Sequence, residues 1–412
     1  MITQDAFTAG CTLLETIITK MDDLNKKRSE FIVHILMLIL GIRGRVNFMQ
    51  LQRQGKMNEK SYRNQFEKAF DWLLFNRHLV SEVCSNELII GFDPSFIKKS
   101  GKTSPNLGYF YSGCASSFKR GMEIGNFAVI DVQQNTAYHL LAVTTPSAKH
   151  NKIEDGKSLV DHYADCLVDN HLELEQIATV LVCDGYFAKK KYADAVVEHT
   201  NLELISRLRD DANLQYIFKG EQSQSRGRPK KYDGKVNVKK IDKRRFTKEF
   251  SDEEKTIYTA ELYSVGLKRN IKVAYVEFNV GKGKTVIKLF FSTNLDRTGG
   301  KMLRYYRARY QMEFIFRDAK QFTGLEHCQA RSENKLSFHF NATLSAVSIG
   351  KAILRSGVSK TEPMTLSIQN IKTELHNRKM LKLIFSIYGF DQSLIKINTK
   401  YYEVLDNGKI AA

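Results

Sequence analysis

The chain has no cysteine pair spaced for a metal or redox centre. Its six cysteines, Cys11, Cys84, Cys114, Cys166, Cys183 and Cys328, are scattered over 412 residues with no C-x-x-C. No Cys/His cluster has zinc-ligand spacing either, and the ten histidines form no ligand-like group. This excludes a zinc-ribbon or dithiol site and predicts reduced thiols. Long hydrophobic runs are missing too. The most apolar stretch, FIVHILMLILGI from Phe31, is twelve residues, against the roughly 20 that a membrane span needs. With no basic-then-apolar signal pattern at the N-terminus, no membrane partner is expected, and the expected location is cytoplasmic and nucleoid-associated. Acid is the charge in short supply: 45 Asp and Glu against 63 Lys and Arg leave +18, with a sequence pI of about 9.4. An excess of that size selects a polyanion, and without a lipid-binding pattern it points to nucleic acid. Tryptophan is nearly absent: Trp72, in AFDWLLFN, is the only one and reads as core. No internal repeat or long low-complexity segment is present.

What is there supports packed cores. Apolar residues make up 42% and aromatics 11% of the chain, enough for two or three domains. Residues 1–85 read as helices. Within them a short helix over Phe48 to Arg53, a turn at Gly55 and a second helix from Asn58 have a helix-turn-helix look, with Lys60, Arg63 and Asn64 facing out and Tyr62, Phe66 and Phe70 facing in. From Glu87 strands take over. ELIIGFD is one, NFAVIDV and AYHLLAVTT pair through QQNT, and VLVCD and LELISRLR alternate with helices, which predicts an α/β sheet with parallel members over 86–218. Between Lys219 and Lys248 twelve Lys and Arg face three acids, about half of the net excess. The β-type segments YTAELYSVGL, IKVAYVEFNV and TVIKLFFSTN follow, so 219–297 reads as a basic loop and β-rich insertion. A helix with Thr298 as N-cap and Gly324 as stop occupies 298–335, and 336–412 reads as a helical C-terminal region.

The helix YRARYQMEFIFRDAK carries chemistry. At about 100° per residue, Tyr306, Arg309, Glu313 and Lys320 fall within about a 60° arc, while Ala308, Met312, Ile315 and Ala319 fall together on a separate stripe. Alone, the polar face is satisfied by ion pairs of Arg309 with Glu313 and Glu313 with Arg317. Two strands, however, end in an aspartate, Asp93 in LIIGFD and Asp184 in VLVCD, where α/β sheets place ligands. Asp-Pro and Asp-Gly also begin ordinary turns. Three carboxylates at one sheet edge would repel each other unless cations were present, and oxygen donors of this kind suit Mg²⁺ or Mn²⁺. Two such ions support in-line phosphoryl displacement, with Arg309, Lys320 and Tyr306 gripping phosphates.

The spacing Y-x2-R-x3-E-x6-K from Tyr306 to Lys320, downstream of FDPSFIKKSGK and VLVCDGYFAKK, resembles the signature of the bacterial insertion-sequence DDE transposases of the YREK, or insertion-sequence-four, group. The resemblance covers the whole layout. It implies a ribonuclease H-like catalytic domain interrupted by the β-rich insertion, with a helical N-terminal DNA-binding domain and a helical C-terminal region. Asp93, Asp184 and Glu313 resemble the metal-binding catalytic triad, holding two Mg²⁺ or Mn²⁺ ions. Tyr306, Arg309 and Lys320 resemble the residues that contact the phosphates of transposon ends. The implied activity is cut-and-paste transposition of double-stranded DNA, often through a DNA hairpin, by a homodimer assembled on the ends. In related enzymes an aromatic of the insertion, commonly Trp, holds a flipped base; this insertion has no Trp, and Tyr258, Tyr263 or Tyr275 would have to substitute by stacking. Two other activities stay open: a metal-dependent nuclease that cuts without joining, and a catalytically inactive DNA-binding protein.

Other segments bear on DNA. Arg226-Gly227-Arg228-Pro229 matches the core of an AT-hook, whose arginines enter a narrow A·T minor groove, and Lys230 and Lys231 extend it; a basic loop holding phosphates without sequence preference fits the same residues. The basic, aromatic loop 100–121 could lie along the DNA backbone. SGKT at 100–103 and GKGKT at 281–285 lack the first glycine of a phosphate-binding loop, so no nucleotide cofactor is expected. The helices around LHNRKMLKLIFSIYGF are a candidate dimer interface.

Overall fold

The computed structural model describes residues 6–101, 103–147, 157–222, 228–281, 283–356, 358–360, 364, 366–389 and 399–410. In chain order, helices α1 (Ala6–Ile18), α2 (Lys26–Gly41), α3 (Phe48–Gln54), α4 (Glu59–Glu67) and α5 (Trp72–Val83) come first. Strands β1 (Leu88–Ile97), β2 (Gly108–Ser112), β3 (Ser117–Asp131) and β4 (Thr136–Thr144) follow. Next are α6 (Leu159–Asp169), α7 (His171–Glu175), β5 (Val180–Cys183), α8 (Lys190–His199) and β6 (Glu203–Arg207). Strands β7 (Leu214–Ile217), β8 (Tyr232–Lys235), β9 (Thr247–Ser251), β10 (Lys255–Ser264), β11 (Arg269–Asn279) and β12 (Thr285–Ser292) come after them. The chain ends in α9 (Gly299–Ala308), α10 (Gln311–Asp318), α11 (Glu333–Leu354), α12 (Ile368–Ile387) and α13 (Thr399–Asp406). This mixed α/β chain forms two compact units: a helix-rich one of Met1–Leu88, Pro94–Lys152 and Gln311–Ala412, and a sheet unit of Ile89–Asp93 and Ile153–Tyr310.

In the helix-rich unit, short polar side chains set where the N-terminal helices begin. Asn25, Asn47, Asn58 and Asp71 each accept a hydrogen bond from the backbone N–H three residues on, satisfying a donor that the helix cannot. The α3–turn–α4 pair forms as expected, with Tyr62 and Phe66 buried against Phe31, Phe48 and Phe338. Phe70 lies past the end of α4 and packs on Trp72, which is core. At Gly55 a Cβ would come within 1.9 Å of the Tyr62 hydroxyl, so only glycine lets the two helices approach this closely.

The long helix α11 is buried along nearly its whole length, although His339, Asn341, Thr343, Ser345, Ser348 and Lys351 lie on it. Each is hydrogen-bonded, as buried polar groups must be. Asn341 bonds both the N–H and the C=O of Ala142, Ser345 donates to Asn76, Ser348 accepts from the His139 N–H, and Lys351 donates to the Ala137 carbonyl.

Strands β3 and β4 pair antiparallel as the sequence predicts. Residues 100–121, expected as a loop, instead contain β2 and the start of β3, paired from Gly108↔Gly121 to Ser112↔Ser117.

The sheet unit is built on parallel strands. β1 pairs with β5, and β5 with β6; β12, β11, β10, β7 and β8 then continue the sheet antiparallel, with β9 on β10. Phe92, Tyr163 and Phe187 stack edge to face beneath it. Buried Glu203 on β6 receives Arg297 through Nε at 2.8 and 3.0 Å, as well as through Nη2, and the Ser292 hydroxyl at 2.7 Å. That pair clamps the approach to α9, whose N-cap is Thr298.

Candidate active site

Strand register brings two carboxylates together in the sheet unit. Phe92 on β1 lies opposite Cys183 on β5, and the next residues are Asp93 and Asp184. Asp93 does not end its strand, as the Asp-Pro pair suggested; β1 runs on to Ile97, because Pro94 lacks an N–H that only a ladder partner would need. The parallel ladder nevertheless stops at Phe92, so Asp93 is the first residue beyond it. Asp184 directly follows β5 and caps the tight turn Gly185–Phe187, accepting the Gly185 N–H at 2.7 Å. Its carbonyl is held by the Ser206 hydroxyl at 3.0 Å.

The end of α9 supplies the other polar groups of this unit. Tyr306 Oη donates to Asp184 Oδ1 at 3.4 Å and Arg309 Nη1 to Asp93 Oδ2 at 3.4 Å. The Arg309 guanidinium lies 5.7 Å from the Tyr306 ring centre, and that ring packs on Phe290 at 5.0 Å. Burial pushes the Tyr306 phenol above its usual value; Arg309 opposes the shift and Asp184 adds to it. The phenol therefore stays a donor at neutral pH. Arg207, at the end of β6, was not singled out by sequence reasoning. Its charge also acts on Tyr306, it pairs with Asp210 at 3.0 Å, and its Nε is buried without a hydrogen-bond partner among the described residues. Its place as the last residue of a strand parallel to β5 was the available signal.

The predicted single helix is interrupted. Its Thr298 cap and Gly324 stop are found, Gly324 in the left-handed region at φ 78°, but regular hydrogen bonding breaks at Arg309–Tyr310, where the Tyr310 N–H turns to the Arg307 carbonyl at 3.1 Å. Ala308, Met312, Ile315 and Ala319 are buried as expected. Glu313 stands exposed in the first turn of α10. The expected Glu313–Arg317 pair is replaced by Arg317–Asp318 at 2.9 Å. Lys320, in the π-helical turn Ala319–Thr323, donates to the Ser95 hydroxyl at 3.1 Å and the Phe96 carbonyl at 2.8 Å. Burial lowers its pKa, against the pull of Glu326.

The remaining basic residues vary in their surroundings. Lys60 is exposed on α4, whereas Arg63 bonds Glu59 and lies over Phe48. Arg226 lies outside the described residues. Arg228 and Lys231 are exposed, while Lys230 pairs with Asp233 at 2.7 Å and covers Phe218. Two of the insertion tyrosines are not available to a base: Tyr275 and Tyr258 are 2% and 8% exposed and face each other across β10 and β11; Tyr263 is half-buried and packs on Tyr232 at 4.5 Å.

Asp93 and Asp184 fit a hard divalent cation by donor chemistry: both are partly exposed carboxylates, and oxygen donors of this kind suit Mg²⁺ or Mn²⁺. Among the described residues no group of three or more His, Cys, Asp or Glu side chains is gathered to hold a metal, and no helix is long and apolar enough to cross a membrane. The family model of the transposase DDE domain matches residues 93–349, a span that starts at Asp93 and contains Asp184, Tyr306, Arg309, Glu313 and Lys320. Comparison with curated proteins finds no match.

Proposed function

The chain belongs to the transposase DDE domain family, and from that premise we propose that it performs cut-and-paste transposition of an insertion sequence, cleaving the element's double-stranded DNA ends and joining them to a target. The observation that supports this reading is that Asp93 and Asp184 are the next residues beyond the last pair of the β1–β5 ladder, with Arg309 and Tyr306 already against them. The parallel β1–β5–β6 core, with a strand-rich insertion between β6 and α9, supports a ribonuclease H-like fold. The Tyr306–Lys320 spacing supports the YREK, or insertion-sequence-four, group.

Asp93 and Asp184, with Glu313 as third carboxylate on the strength of that spacing, would hold Mg²⁺ or Mn²⁺. The chemistry such ions supply when bound is activation of an attacking water or 3′-hydroxyl and stabilisation of the leaving oxygen. The chain's own groups position the phosphate. Arg309 offers a planar fork to two phosphate oxygens and exchanges its long contact with Asp93 for them. Tyr306 keeps its proton and donates to a third oxygen. Lys320, through Ser95 and Phe96, fixes the segment that follows Asp93. Arg228, Lys230, Lys231, Lys60 and Arg63 add contacts to the DNA backbone. Two ends must be cut in concert, so the protein works as a homodimer on DNA; the exposed Met380, Leu383, Ile384 and Ile387 of α12 offer an apolar face for that assembly.

The test is cleavage and strand transfer on the element's terminal DNA with Mg²⁺ or Mn²⁺, comparing wild type with Glu313→Gln. Joined products from the wild type alone, with DNA binding kept in both, are expected. Cutting without joining would make the protein a nuclease, and binding without metal-dependent cutting would make it a DNA-binding protein with an inert site.

A further inference from the structure

The ribbon formed by β2 and the start of β3, in the helix-rich unit, turns an aromatic face to solvent. Tyr109, Tyr111 and Phe118 are 70%, 54% and 69% exposed. Strand register puts Tyr111 opposite Phe118 and Tyr109 opposite Arg120, so these four side chains share one face. The Tyr111 and Phe118 rings meet edge to face at 5.8 Å. The other face anchors the ribbon, with Phe110 and Ser112 buried and the Ser147 hydroxyl bonded to the Leu107 carbonyl at its base. Arg120 bonds the Gly101 carbonyl at 2.7 Å, and Lys119, opposite Phe110 on the other face, is exposed. From Lys98 to Met122 the sequence has Lys98, Lys99, Lys102, Lys119 and Arg120 and no acid.

Rings of this size are ordinarily covered, and here three are held out on a paired, acid-free ribbon. The matching surface is one that offers flat π faces and negative charge together. A duplex hides its base faces in the stack, whereas an unpaired strand presents them between its phosphates. The ribbon also lacks the side-chain amides that read base edges in a groove.

We propose that this face binds single-stranded DNA, with Tyr109, Tyr111 and Phe118 stacking on unpaired bases while Arg120 meets a neighbouring phosphate. The inference rests on the transposase reading, in which cutting and joining expose unpaired DNA. It gives the chain a base-stacking surface outside the insertion, where Tyr258 and Tyr275 are buried.

The experiment uses the full chain and two probes at one salt concentration: a blunt duplex, and the same duplex with a short single-stranded tail carrying 2-aminopurine. The wild type should favour the tailed probe by about tenfold or more and quench the 2-aminopurine on binding. The exposed-face variant Tyr111→Ser/Phe118→Ser should lose both effects while binding the blunt duplex as before. Tyr111→Phe/Phe118→Tyr, which keeps the rings, should retain them. An equal loss on both probes, or an unchanged tail preference in the serine variant, overturns the inference and leaves the transposase reading standing. A serine variant that changes only the protein's self-association, by sedimentation, assigns the face to a second copy and also overturns it. Failure of the wild type to bind either probe overturns the DNA reading itself and this inference with it.

Discussion

Arg309 Nη1 lies 3.4 Å from Asp93 Oδ2, joining the end of α9 to the residue just past the parallel ladder of β1. A charge-assisted N–H···O bond usually measures about 2.7–2.9 Å, so this contact is a long one. It places a positive charge beside Asp93, and the proposed function has it exchange this contact for phosphate oxygens.

If that exchange is how DNA is gripped, Arg309→Ala should weaken binding to the element's terminal DNA by about 1.5–3 kcal/mol, the range for a hydrogen bond to a charged group. Arg309→Lys should not restore it, because an ammonium has no fork. Gel-shift titrations decide the matter; wild-type affinity in the lysine variant would remove Arg309 from the proposed phosphate contacts.

The Glu203–Arg297 pair should matter to stability. Glu203→Ala leaves Arg297, 18% exposed, without its bidentate acceptor, and removing one member of a buried pair costs about 3–5 kcal/mol. Partial exposure places the expected loss at the lower end. Urea unfolding measures it, and a loss under about 1 kcal/mol would mark the pair as equivalent to a surface one.

Acid should destabilise the protein through His139. Burial lowers its pKa to about 3 and that of His339 to about 4, below the unfolded value of about 6.5. Between those limits the unfolded chain takes up the proton first. The stability these neutral rings contribute is therefore complete above about pH 6.5 and is lost as pH falls, at about 1.4 kcal/mol per pH unit for each. Asn341 Oδ1 accepts the Ala142 N–H, so His139 donates to it through Nε2; the neutral ring then accepts at Nδ1 from the Asn126 side-chain amide 2.6 Å away, which requires that amide to present its nitrogen. In denaturant melts from pH 7 to pH 4, His139→Gln should show a flatter decline than wild type; parallel profiles would contradict the neutral assignment.

Gly55→Ala should destabilise the helix-rich unit by about 1–3 kcal/mol, as overpacking does, because the new methyl meets the Tyr62 hydroxyl. In a Tyr62→Phe background, already lacking the bond from Tyr62 to His34, the further loss should be smaller. Thermal melts of the four proteins give the comparison, and an equal penalty in both backgrounds would assign the clash to Leu51 and Leu38 instead.

Local chemistry was the most legible part of the sequence. Thr298 and Gly324 marked the ends of the 299–323 helical stretch because capping depends on a side chain and a backbone region, not on distant contacts. Asp184 could be placed because VLVC is too short and apolar to be anything but a buried strand. The interruption at Arg309–Tyr310 was hidden, since the apolar stripe keeps its period across the break. Asp-Pro argued for a stop at Asp93, while the ladder ended there and the strand did not. The ribbon at 108–121 read as a loop because Gly, Ser and Asn signal turns locally, whereas its pairing is fixed by Phe110 and Ser112 packing beneath it. Arg207 shows the remaining limit: its relation to Tyr306 is spatial, across about a hundred residues of chain.

The burial of α11 reverses the usual rule of mutational tolerance. Most core helices accept one aliphatic residue for another and reject polar ones. Here Asn341, Ser345, Ser348 and Lys351 hold backbone and side-chain groups of Ala142, Asn76, His139 and Ala137, so an aliphatic replacement would strand those partners inside the protein. Tolerance to substitution along this helix should be narrowest at the positions that a hydropathy plot would rank as surface.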